Sequence, residues 1–264
     1  MASSKKLPQI VLFGDSLTQW SFNEETRGFG WVLEEKYKGK AEIVNEGQAG
    51  YTSTMLKTDF RNIIARASLP GAAPTPLLTI FLGANDACLI PNQGEYVPLP
   101  TFEANIRDFV DQVLRNDKMA TTKIVLIAPP PINIPQPLPM GLDDAPVDPK
   151  KDRGYLTYMS KKKYAEKIME IAASLEGTGR VIGLDLWKAL IDAALEDQNR
   201  LGDEDAYDEL RLPGAGLDWA EEFKPGYFTD GLHFDKLAYD VLSKSLLEAT
   251  LSRWPELGPE HIAQ

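Results

Sequence analysis

Gln9-Ile10-Val11-Leu12-Phe13, followed by Gly14-Asp15-Ser16-Leu17-Thr18, is the stretch on which the fold turns. A short, nearly continuous apolar run that stops at a glycine and polar residues reads as a strand covered on both faces, as in a parallel sheet. Further along the chain, residues 41–45, 77–82, 123–128 and 180–185 repeat the pattern, each rich in Ile, Val or Leu. Amphipathic segments separate them and predict helices over about 30–37, 53–67, 101–116, 155–175 and 186–198. A last helix is expected over 236–253, where Leu237, Val241, Leu242 and Leu246 mark an apolar stripe. Strand–helix alternation of this kind implies right-handed crossovers and an open, doubly wound α/β fold with a five-stranded parallel sheet. No linker or repeat divides the pattern, so residues 1–264 are expected to form a single domain.

Three segments exceed the minimal repeat. Residues 88–100 read as a loop. Residues 129–152 carry eight prolines and cannot be a helix. Residues 202–225 are acidic but contain Trp219 and Phe223; solvated decoration and a functional role are equally compatible with them. The proline-rich segment leaves the carboxyl end of the fourth strand, the edge at which open sheets bind ligands, and this favours a functional role.

The formal net charge of −11 over 264 residues disfavours nucleic-acid and anionic-membrane partners, but leaves small neutral substrates unaffected. With Cys88 as the single cysteine there is no intramolecular disulfide and no thiolate set for zinc. No apolar run approaches a membrane span, and Ile10–Phe13 is far shorter than the core of a secretory signal. These points favour a cytoplasmic protein without metal or organic cofactor. A homodimer is compatible with all of them.

Ser16 follows the first strand, where free backbone N–H groups can hold an anion; a turn serine taken alone is more often a helix cap. The other end of the chain changes that balance. Asp230-Gly231-Leu232-His233 places an acid three residues before a histidine, and the turn at Gly231 can fold the carboxylate onto the imidazole. A serine hydroxyl is a weak nucleophile until a base accepts its proton, and that base needs an acid to fix its tautomer. Only two histidines exist, and His261 lies in a C-terminal tail, so His233 is the candidate base. Donors for an oxyanion are available at Gly50, after the second strand, and at the Asn85 amide, after the third. In a strand order such as 2-1-3-4-5 those loops lie beside the one that carries Ser16.

The blocks Gly14-Asp15-Ser16-Leu17, Gly50, Gly83-Ala84-Asn85-Asp86 and Asp230-Gly231-Leu232-His233, in that order, resemble the GDSL, or SGNH, hydrolases. The run Thr79 to Cys88, then Val97-Pro98-Leu99-Pro100 with Phe102 and Asn105-Ile106-Arg107, and Thr229 to Phe234 are similar to the isoamyl acetate-hydrolysing esterases. The resemblance implies a flavodoxin-like three-layer α/β/α sandwich. It also implies a serine esterase acting on small, short-chain acyl esters, with lipid metabolism as the general setting. By the same resemblance Ser16 is nucleophile and oxyanion donor through its N–H, Gly50 and Asn85 are the other donors, and Asp230 and His233 complete a triad. The same machinery would serve a carbohydrate deacetylase, lysophospholipase or acyl-thioesterase. Trp20, Leu89 and Ile90 lie close to these blocks and are candidates to line an acyl or alcohol pocket, although core packing explains them nearly as well. No Gly-x-Ser-x-Gly elbow is present, which argues against the α/β-hydrolase fold. A non-catalytic phosphate-binding module stays open as the alternative, although it leaves Asp230, His233 and Asn85 without a task.

Overall fold

The structure is a computed structural model that describes residues 6–90, 96–135 and 149–262. Five parallel strands form one sheet in the order β2-β1-β3-β4-β5. They are β1 (Gln9–Gly14), β2 (Glu42–Gly47), β3 (Leu77–Phe81), β4 (Lys123–Ile127) and β5 (Val181–Leu184). The central strands are nearly all buried, because helices cover both faces. At the edge, β2 exposes Glu42 and Asn45, leaves Val44 and Glu46 half-buried, and buries only Ile43 and Gly47.

The helices are α1 (Ser16–Gln19), α2 (Phe29–Lys36), α3 (Lys57–Ala67), α4 (Leu99–Leu114), α5 (Arg153–Ser174), α6 (Leu186–Asp197) and α7 (Lys236–Arg253). α2, α7 and α6 pack side by side in one layer; α3, α4 and α5 form the other. The expected doubly wound α/β/α sandwich is therefore the observed one. One continuous cluster of buried apolar side chains runs from Ile10 to Leu257. Phe13 sits at its centre with ring centroids 4.9 Å from Phe60 and 5.5 Å from Phe109, edge-on to both. Such pairs contribute about 0.5–1.5 kcal/mol beyond the area they bury.

Boundaries differ from the expected ones for local reasons. α3 starts at Lys57 rather than 53, because Ser53 turns its backbone and hydroxyl toward Asp86. α4 starts two residues early at Leu99, with Pro98 and Pro100 in the positions a first helical turn tolerates. Of the loop expected over 88–100, residues 91–95 lie outside the described residues; of the proline-rich segment, residues 136–148 do. The acidic segment is better packed than decoration would be: Ala206, Leu212, Ala215, Leu217, Ala220 and Phe223 are all buried. No helix among the described residues is long and apolar enough to cross a membrane.

What positions the site is register. Gly14 pairs with Gly47 on one side and with Phe81 on the other. The loops after β1, β2 and β3 therefore leave the sheet side by side.

Candidate active site

Ser16 is the first residue of α1, directly after Asp15, whose carboxylate caps the helix by accepting from Leu17 N–H at 2.9 Å. Ser16 is 5% exposed, so little but its hydroxyl is open to a ligand. Its Oγ lies 3.1 Å from His233 Nε2, and His233 Nδ1 lies 2.6 Å from Asp230 Oδ2. A carboxylate can only accept, so the proton sits on Nδ1, and Nε2 is left to accept from the serine hydroxyl. Residues at opposite ends of the chain are thus joined in one hydrogen-bonded line.

The acidic end of that line is held by its own loop. Asp230 Oδ1 accepts from His233 N–H at 2.8 Å and from Leu232 N–H at 3.0 Å. Partial burial pulls the Asp230 pKa upward, but those two N–H groups and the imidazole outweigh it and hold the carboxyl below its ordinary range. Thr229 N–H donates to His233 O at 2.9 Å, which closes the loop, and Asp235 caps the α7 that follows. Tyr239 on α7 donates its hydroxyl to Leu17 O at 3.0 Å, tying the helix after the histidine's loop to the serine's helix.

Gly231 has a φ of +86°, and a Cβ there would come within 2.5 Å of Asn133 O. Gly231→Ala is therefore expected to cost roughly 1–3 kcal/mol of stability. It should also lower kcat by about tenfold or more, through displacement of Asp230 and His233. Urea denaturation and turnover per titrated site, measured on the same preparation, check both.

The two other loops are those after β2 and β3, which leave the sheet beside the loop that carries Ser16. Gly50 has a φ of +80° with open space where a Cβ would stand, so backbone conformation rather than crowding calls for glycine. Asn85 is 5% exposed, and its Nδ2 donates to Tyr51 O at 2.9 Å, leaving its second amide hydrogen for a ligand. The bond to Tyr51, next to Gly50, ties the third-strand loop to the second-strand loop. The structure joins Ser16, His233 and Asp230 in one line and sets Asn85 on a cleft that Asp230 also lines, while Gly50 precedes Tyr51, whose carbonyl Asn85 holds. His261 lies elsewhere, beside Lys123 and Arg180.

A cleft of about 230 Å³ adjoins this group through Asn85 and residues 230–232, and is walled by Cys88, Ile90 and Ile132. Of the expected pocket residues, Ile90 lines it. Leu89 is instead held through its N–H by Thr157 Oγ1 at 3.0 Å. Trp20, half-exposed, has its ring centroid 4.3 Å from that of His233, tilted against it.

Sequence reading missed Asn133, which follows β4. Its N–H donates to Gly231 O at 2.8 Å and its Oδ1 accepts from Phe223 N–H at 2.9 Å. The proline-rich and acidic segments therefore meet at Asn133, behind the loop that carries Asp230 and His233. The sequence also assigned no role to Asp86 and Ser53, buried within the loops of Asn85 and Gly50, or to Lys161, buried on α5. Among the described residues no group of three or more His, Cys, Asp or Glu side chains is placed to hold a metal ion.

A sequence profile of the GDSL-like lipase/acylhydrolase family matches residues 12–241. The isoamyl acetate-hydrolyzing esterase 1 homolog of mouse is 37% identical over 126 residues, 47% of this chain and 49% of the relative. The isoamyl acetate-hydrolyzing esterase of Saccharomyces cerevisiae is 27% identical over 266 residues, 96% of this chain and 90% of the relative. The chain spans about half the length of the mammalian relatives it matches. Among solved structures, the acetyl xylan esterase AlAXEase superposes with a TM-score of 0.63 at 15% identity, covering 91% of this chain and 98% of that one. The acetylxylan esterase Axe2 of Geobacillus stearothermophilus superposes with a TM-score of 0.57 at 16% identity, covering 93% and 95%. At such identities the structural likeness speaks to the fold.

Proposed function

The chain belongs to the GDSL-like lipase/acylhydrolase family, and from that premise we propose that it is a serine esterase of small, short-chain acyl esters. The observation that carries the proposal is the hydrogen-bonded line from Ser16 through His233 to Asp230, ending beside the Gly50 and Asn85 loops. In the first half-reaction His233 Nε2 takes the Ser16 proton as Oγ bonds to the ester carbonyl carbon. The carbonyl oxygen becomes an oxyanion and is received by the Ser16 and Gly50 N–H groups and the Asn85 amide. The carbon–alkoxide bond then breaks, His233 returns the proton to the leaving alcohol, and an acyl-serine is left. Water repeats the sequence and releases the acid. Asp230 stabilises the imidazolium that forms in each half.

Acetate-type esters are supported by the isoamyl acetate-hydrolyzing relatives and by the modest size of the cleft beside Asn85. A cytoplasmic, single-domain enzyme belongs to the same proposal, supported by the lone Cys88 and the continuous core. The test is a panel of p-nitrophenyl esters from acetyl to decanoyl, with fluorophosphonate labelling of Ser16 as the count of active sites. We expect kcat/KM to be highest between acetyl and about hexanoyl, since a cleft of this size buries little more apolar area. A steady rise through decanoyl would replace the short-chain reading by a lipase or acyl-thioesterase one. A chain that neither labels nor turns over any ester would overturn the esterase reading itself.

A further inference from the structure

We infer that Lys161 on α5 is a positioning residue for the oxyanion site, its buried ammonium holding in place the three loops that carry Ser16, Gly50 and Asn85. The inference rests on the esterase reading above. Lys161 is 2% exposed and shares the buried face of α5 with Tyr158, Ala165 and Ile168, whereas its neighbours Lys162 and Lys163 reach solvent. A buried ammonium is expensive, and an apolar side chain of like volume would fill the space more favourably. Its presence therefore calls for a specific task.

The partners of Lys161 define that task. Its Nζ donates to Ala84 O at 2.5 Å, which fixes the peptide immediately before Asn85. It also faces two buried carboxylates, Asp15 and Asp86, along with the Cys88 thiol. Asp15 is the residue before Ser16, and its carboxylate caps α1. Asp86 follows Asn85 and accepts from Ser53 N–H at 3.0 and 3.1 Å and from Ser53 Oγ at 2.5 Å, in the loop that contains Gly50. Asn105 Nδ2 completes the cluster by donating to Ser53 Oγ at 2.9 Å and to Thr54 Oγ1 at 3.0 Å. Ser16 and Asn85 thus adjoin residues that Lys161 faces or bonds, and Gly50 lies three residues before Ser53, which Asp86 holds.

The electrostatics agree with this geometry. Burial pushes the Asp15 carboxyl up to about 7 and the Asp86 carboxyl up to about 6, with Lys161 working against both shifts. Burial likewise pushes the Lys161 ammonium down to about 8, with Cys88, Asp15 and Asp86 working the other way. Without the ammonium, Asp15 and Asp86 would take up protons at higher pH, because one buried carboxylate raises the other and no cation offsets it. The hydrogen bonds they accept from Leu17 and Ser53 weaken on protonation, and the donors they hold lose their aim.

The experiment compares wild type, Lys161→Met and Lys161→Arg as full-length chains on p-nitrophenyl acetate, with active sites counted by fluorophosphonate. Lys161→Met is expected to lower kcat per titrated site roughly 10- to 100-fold, the scale of a small misplacement of reacting groups, with KM changed less than about threefold. The acid limb of its kcat/KM profile should move to higher pH. Lys161→Arg, which keeps the charge, should recover part of kcat and the wild-type acid limb. Should Lys161→Met fail to fold, Lys161→Gln, which keeps an uncharged donor, is read in the same way. An active wild type beside folded neutral variants of unchanged kcat and pH profile would overturn this inference alone, whatever they lose in stability. A wild type that neither labels nor hydrolyses would overturn the esterase reading and this inference with it.

Discussion

Ser16→Ala is expected to lower kcat for short-chain esters by roughly 10⁴-fold or more while leaving the fold intact. The hydroxyl that is lost has one side-chain partner, His233, and its methylene remains in place to pack at the start of α1. Stability should therefore move by no more than about 1 kcal/mol. His233→Ala should be as damaging to turnover, and the loop should survive it: Asp230 Oδ1 still accepts from the backbone N–H groups of residues 232 and 233. The double variant should be no worse than either single one, because residues acting as one unit lose their function together. The measurement is kcat beside a urea curve for each variant, with fluorophosphonate labelling expected to disappear in Ser16→Ala. A tenth of wild-type turnover in a pure Ser16→Ala preparation would remove Ser16 from the nucleophile's role.

Much of this arrangement was legible because strands and chemistry fall at the same places in the chain. The apolar runs that read as β1, β3 and β4 are buried on both faces in the sheet, and the polar residues that follow β1 and β3 are those that meet at the site. The strand order needed to juxtapose them is the observed one. Errors arose where a side chain overrides local propensity. Ser53 is a sound helix-start residue by pattern, but its bonds to the buried Asp86 hold it in a turn and delay α3 to Lys57.

Other features were illegible for a different reason. Lys161 sits in the run Lys161-Lys162-Lys163, which reads as a solvated face; only its spacing from Tyr158 and Ala165 marks the apolar stripe. Asn133 lies in a segment of prolines where no periodicity exists, and its importance comes wholly from distant partners, Gly231 and Phe223. The acidic composition of residues 202–225 hid Leu212 and Leu217, which are too widely spaced to read as an element but are buried, as is Phe223. Contacts made across the fold leave no local signature.

Asn85→Ala is expected to lower kcat by roughly 10²–10³, with KM changed much less. The amide has two hydrogens, and one is committed to Tyr51 O at 2.9 Å. The other is available to an oxyanion that exists only in the transition state, and this is why kcat rather than KM should fall. Because the Tyr51 bond is lost as well, the alanine variant should also give up about 1 kcal/mol of stability. Those two losses are separable. Asn85→Asp has nearly the same shape but offers a carboxylate, which accepts rather than donates and repels both the oxyanion and the Tyr51 carbonyl. It should be at least as damaging to kcat as alanine near neutral pH, although its packing is the closer match. A purely structural Asn85 predicts the opposite order, with kcat per titrated site unchanged in whichever variant folds. Turnover and denaturation curves on both variants decide between these orders. Wild-type kcat in the two would take Asn85 out of the site and leave the oxyanion to the backbone N–H groups of Ser16 and Gly50 alone.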